Sequence, residues 1–118
     1  MKHILIVDDN KINLMVAKKV VGADYKVSSV TSGEQALAFF EQNTCDLVML
    51  DINMPEMDGF EVFEKFRENG NSVPVIFLTA ESDGDVEEKC LSTGAAGFAE
   101  KPFDAQSLLE KIRNVIGE

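Results

Sequence analysis

A chain of 118 residues, 45% hydrophobic and 27% charged, has the size and balance of one folded domain over residues 1–118 and shows neither repeats nor low complexity. Its formal charge of −10 leaves no basic stripe for a nucleic-acid backbone and no attraction to an anionic membrane surface. Two cysteines, Cys45 and Cys90, are too few for a disulfide framework and lack metal-ligand spacing, so they read as small buried hydrophobes in a reducing compartment.

No apolar run approaches the roughly 20 residues of a membrane span. The apolar-leaning start before Asp8 and Asp9 is too short for a signal peptide, and a cytoplasmic location is expected. Ile4-Leu5-Ile6-Val7 is an uninterrupted, β-branched-rich run, the habit of a strand buried on both faces. From Asn10, Ile12, Met15, Val16 and Val20 recur at helical spacing up to Gly22. Lys26 to Val30 is a weaker second strand. Ser32 has the character of an N-cap for a helix carrying Ala36, Leu37, Phe39 and Phe40 to about Asn43.

Leu47-Val48-Met49-Leu50 repeats the buried-strand pattern. Pro55 and Gly59 punctuate a loop, and Phe60, Val62, Phe63 and Phe66 mark the next amphipathic helix, closing near Gly70. Val75-Ile76-Phe77-Leu78 is a fourth strand, Val86 to Leu91 a weak acidic helix before Gly94, and Gly97-Phe98-Ala99 a short fifth strand. Ala105 to Ile116 is the last helix, with Leu108, Leu109, Ile112, Val115 and Ile116 predicted to face inward. Strict strand–helix alternation in five pairs predicts an α/β fold: a flavodoxin-like (βα)5 sandwich with a parallel sheet in the order 2-1-3-4-5 and helices on both faces. Ligands then sit at the carboxyl ends of the strands.

Four of those ends carry polar chemistry. The first strand runs into Asp8-Asp9, the third into Asp51, the fourth into Thr79 and the fifth toward Lys101-Pro102. An Asp after a strand is usually a turn or cap residue, but this coincidence on one rim is rarer. Three neighbouring carboxylates repel unless a hard cation joins them, and an all-oxygen set suits Mg²⁺. Mg²⁺ keeps coordination positions for phosphate oxygens, and a carboxylate can itself be the nucleophile that forms an acyl phosphate. Lys101 would supply a point charge to such a phosphate and Thr79 a short hydroxyl donor.

The ordered motifs Ile4-Leu5-Ile6-Val7-Asp8-Asp9-Asn10, Leu50-Asp51-Ile52-Asn53-Met54-Pro55 with Met57-Asp58-Gly59, Leu78-Thr79-Ala80 and Lys101-Pro102-Phe103 closely resemble the receiver domain of bacterial response regulators, the CheY-like family of two-component signalling. The resemblance spans residues 2 to 117. It implies that Asp51 is the phosphoacceptor, with Thr79 and Lys101 completing the catalytic set. It implies a Mg²⁺ site (Mn²⁺ able to substitute) held by Asp9, Asp51 and the backbone carbonyl of Asn53, with Asp8 acting through water. It places a cis peptide before Pro102, and a switch made of Thr79 and Phe98, which has no hydroxyl. Asn53 and Glu81 flank the path of the attacking water; both are polar, so a labile acyl phosphate is expected.

The implied partners are a histidine kinase or a His-containing phosphotransfer protein, and a downstream protein that reads the face formed by the fourth helix, fifth strand and fifth helix. A monomer or a weak, phosphorylation-dependent dimer is expected. Such a domain is a signalling switch, not an enzyme acting on a separate substrate. A haloacid-dehalogenase-type phosphatase would want an acid where Asn53 stands, and a flavin carrier would want a phosphate loop where Asp8 and Asp9 stand. The Asp9-Asn10-Lys11-Ile12-Asn13 stretch also resembles hybrid-kinase receivers, so a module of a hybrid histidine kinase or a larger regulator is the alternative to a free-standing protein.

Overall fold

A computed structural model describes residues 2–80, 84–101 and 104–117. Strands and helices alternate through them: β1 (His3–Val7), α1 (Lys11–Val21), β2 (Lys26–Val30), α2 (Gly33–Gln42), β3 (Leu47–Asp51), α3 (Gly59–Glu68), β4 (Val75–Thr79), α4 (Gly84–Ser92), β5 (Gly97–Glu100) and α5 (Ala105–Ile116). The strands form one parallel sheet in the order β2-β1-β3-β4-β5. This is the predicted sheet, and its cause is visible in the two-residue period of the central strands.

Leu5, Val7, Val48, Leu50, Val75 and Phe77 point to one face, where they meet Ala36 of α2 and Val62, Phe63 and Phe66 of α3. Ile4, Ile6, Leu47, Met49, Ile76 and Leu78 point to the other, where they meet Leu14, Ala17 and Val21 of α1 and Leu108 and Ile112 of α5. Both faces are covered, so β1, β3 and β4 need no polar alternation.

Capping follows the sequence. Asn10, Ser32, Asp58 and Asp104 each accept a backbone N–H of the helix they precede. Gly94 and Gly117 take left-handed φ of 87° and 78° after α4 and α5. Gly22 does not: it closes α1 in right-handed geometry, its N–H bonded to the Lys18 carbonyl.

The helix announced by that apolar spacing is α1, but the spacing did not say which side turns inward. The inward face of α1 is Leu14, Ala17 and Val21, while Ile12, Met15 and Val16 are 71%, 67% and 44% exposed. The helix is apolar on more than one side, and contact with the sheet and α5 selects the narrower face. Cys90 is buried, as a small hydrophobe should be, and Cys45 is half-buried with its thiol pushed up to about 11, chiefly by burial.

The turn after β3 is tight. Gly59 N–H donates to the Ile52 carbonyl at 2.9 Å. A methyl group at Gly59 would lie 2.5 Å from the Asp51 carbonyl oxygen and 2.8 Å from Ile52 Cα. Both neighbours are backbone and cannot yield cheaply. Gly59→Ala should therefore destabilise the fold by about 1–3 kcal/mol in urea unfolding. Gly84→Ala, with nothing within 4 Å of the new methyl, is the control and should cost nothing measurable.

Candidate functional site

The C-terminal ends of β1 and β3 bring Asp8 and Asp51 side by side, because Val7 pairs with Leu50 in register. Both are almost completely buried. Asp8 is held by its own backbone: its N–H reaches the Val30 carbonyl at 3.2 Å, and its Oδ1 accepts the Asn10 N–H at 2.9 Å. Asn10 then caps α1 through Oδ1, so the first carboxylate is tied to the start of that helix. Asp9, one residue on, is exposed and completes a cluster. Single carboxylate oxygens of Asp8, Asp9 and Asp51 all lie within 4.8 Å of one another.

Lys101 enters from the end of β5. Its Nζ lies 2.9 Å from Asp8 Oδ2 and 3.0 Å from Asp51 Oδ1. The Asp8 contact is an ion pair off the line of a hydrogen bond, and Oδ2 of Asp8 is buried with no hydrogen-bond partner among the described residues. Burial pushes the Asp51 carboxyl up from 3.8 to about 6; Lys101 pulls it down, and the charge of Asp8 adds to the rise. For Lys101, burial works against the charged form, but the contacts with Asp8 and Asp51 outweigh it and raise its pKa.

Three carboxylates against one ammonium leave two uncompensated negative charges at this rim. The donor set is all oxygen, and two of its three carboxylates are buried. Those are the features a hard divalent cation satisfies, and Mg²⁺ fits them.

Thr79, at the end of β4, is buried and lies in register with Glu100, one step past the Asp51–Leu78 pair. Its carbonyl accepts the Lys101 N–H at 2.8 Å. Asn53 touches Asp51 through its backbone, donating N–H to Oδ1 at 3.3 Å, while its side chain is exposed. Phe98 is set deeper in the sheet, paired with Phe77 and half-buried. Glu81 and Pro102 lie outside the described residues.

Two contributors escaped the sequence reading. Asp58-Gly59 announced a loop but not the approach of Gly59 to the Asp51 carbonyl. Pro55-Glu56-Met57 likewise gave no sign that Glu56 would take a left-handed φ of 68°, a conformation most side chains avoid.

Comparison with known proteins gives this rim a context. The model of the response regulator receiver domain matches residues 4–113. The chain is 35% identical to "Probable histidine kinase 6" of Oryza sativa subsp. japonica, covering 98% of this chain and 14% of that protein. It is 32% identical to the response regulator SaeR of Staphylococcus aureus, covering 98% of this chain and 51% of that one. The chain thus spans about half the length of these curated relatives or less. The crystal structure of the chemotaxis protein CheY4 of Vibrio cholerae superposes with a TM-score of 0.87 at 32% identity, over 98% of both chains. Sheet order, acidic rim and sequence all agree, and the chain belongs to the response regulator receiver domain family.

Proposed function

We propose that this chain is a phosphorylation switch in which Asp51 accepts a phosphoryl group from a phosphohistidine of a kinase or phosphotransfer protein. The observation that supports it most is the placement of Lys101, a mostly buried ammonium in contact with both Asp8 and Asp51. Asp8, Asp9 and Asp51, with the Asn53 carbonyl, would hold Mg²⁺, which when bound supplies charge neutralisation to the carboxylates and to a phosphoryl group. A carboxylate oxygen of Asp51 forms the new bond to phosphorus, and the bond from phosphorus to the donor imidazole nitrogen breaks. Asp51 is more basic than an ordinary carboxylate and still ionised above about pH 6. Lys101, held protonated, turns from Asp51 to a phosphoryl oxygen. The Thr79 hydroxyl donates to another.

Those new contacts exist only with the phosphoryl group present, so they bias two packings of the α4–β5–α5 side toward the form a downstream protein binds. The exposed Ile12 and Met15 offer a protein donor an apolar seat beside the rim. Met15→Asp should slow transfer from a protein donor at least severalfold and leave transfer from acetyl phosphate unchanged.

The direct test is incubation with acetyl phosphate or phosphoramidate, with and without Mg²⁺, followed by intact mass. One phosphoryl group should appear, only with the metal, and none on Asp51→Asn. After the donor is removed, Mg²⁺ should let the adduct decay within hours, as the polar Asn53 and Glu81 suggest. Incorporation that is metal-independent, or unchanged in Asp51→Asn, rules the proposal out.

A further inference from the structure

Phe98 stands in open surroundings for a half-buried ring. A cavity of about 440 Å³ adjoins it on the side of Glu87, Glu100, Asp104 and Ser107. Another of about 330 Å³ adjoins it on the side of Leu91, Asn114 and Val115. Among the described residues, Phe98 and Lys111 line both. Open space thus adjoins Phe98 on two sides. A phenyl ring also has no hydroxyl with which to fix its own position.

Lys111 of α5 supplies what packing does not. Its Nζ donates to the Phe98 carbonyl at 2.8 Å, pinning the backbone of β5 at that residue. The same Nζ lies 5.4 Å from the centroid of the Phe98 ring, within the distance at which a cation is drawn to an aromatic face. One ammonium thus holds both the main chain and the ring of the same residue.

We propose that Lys111 is a positioning residue that holds Phe98 in this place and so sets how readily the domain passes to its second packing. The inference rests on the reading of Phe98 as the aromatic that moves with phosphorylation. With these contacts made in the unloaded packing and lost in the loaded one, linkage makes their removal favour the loaded state. Loss of one such hydrogen bond and one cation–π contact should tighten binding of beryllofluoride, a stable phosphoryl mimic, in the presence of Mg²⁺ about three- to tenfold.

The test follows the ring itself, by ¹⁹F NMR of the full chain labelled with 4-fluorophenylalanine, the Phe98 signal being assigned by its loss in Phe98→Leu. In the wild type that signal should shift when beryllofluoride and Mg²⁺ are added as a stable stand-in for the phosphoryl group. In Lys111→Met, which keeps the aliphatic stem, the signal should already lie toward the loaded position without them. Lys111→Arg should restore the wild-type position.

A Met variant whose unloaded signal coincides with the wild type, while the wild-type signal still shifts on loading, overturns the role of Lys111 alone. A wild-type signal that never shifts overturns the reading of Phe98 and this inference with it. Should Lys111→Met fail to fold, Lys111→Gln keeps a donor but removes the charge. Its signal should fall between the two positions, and coincidence with the wild type again counts against the proposal.

Discussion

Metal-free Asp51→Asn should melt roughly 5–10 °C above the wild type at about pH 7.5, and the gap should close as the pH is lowered toward 4. The reason is the cost of a buried charge. Asp51 titrates at about 6 in the folded chain against 3.8 ordinarily. Between those values the native state holds a proton that the unfolded chain has released. Stability is therefore lost as pH rises through this window, and the loss is complete above about pH 6. A shift of about two units corresponds to about 3 kcal/mol. Asparagine removes that charge but also one partner of Lys101, so a gain of about 2 kcal/mol is the reasonable expectation.

Thermal melts in EDTA across this pH range measure it. Added Mg²⁺ should raise the wild-type midpoint much more than that of the variant, because binding to the native state alone stabilises it. A variant that melts below the wild type at neutral pH without metal would show that the Lys101–Asp51 contact, not burial, governs the site.

The opposite substitution should have a larger effect. Lys101→Met leaves Asp8 and Asp51 buried beside each other with no ammonium in contact. Breaking a buried ion pair from one side typically costs about 3–5 kcal/mol. Because Lys101 now lowers the Asp51 pKa, its removal pushes that value above 6, and the stability lost at neutral pH should return on acidification. Urea unfolding at about pH 7.5 and again near pH 5 resolves the two regimes. Phosphorylation by acetyl phosphate should slow by about two orders of magnitude, the scale of losing one charge-stabilising group. An unchanged urea midpoint at neutral pH would mean that Lys101 is dispensable to the charge balance of the rim.

The sheet was readable because its central strands are apolar on both faces and end abruptly in polar residues. Val7-Asp8, Leu50-Asp51 and Leu78-Thr79 each mark the point where a buried strand meets the rim. The gathering of Asp8, Asp9 and Asp51 follows from strand order and register, both implied by the alternation of elements. What depends on three-dimensional contact was less accessible. In α1, Ile12, Leu14, Met15, Val16, Ala17, Val20 and Val21 surround the helix, so hydrophobic spacing could not say which stripe meets the sheet. The closeness of Gly59 to a carbonyl and the double contact of Lys111 on Phe98 arise from elements distant in sequence or from backbone curvature. No local pattern encodes either. The off-line ion pair between Lys101 and Asp8 Oδ2 belongs to the same class, since it depends on the angle at which Lys101 arrives.

The main-chain bond from the Lys101 amide to the Thr79 carbonyl ties together two residues that are 22 positions apart in the chain. Their side chains would grasp one anion, yet their backbones form a single rung at the end of the sheet. Energies obtained by altering Thr79 and Lys101 separately therefore describe a shared joint, and their sum has no meaning as two independent grips.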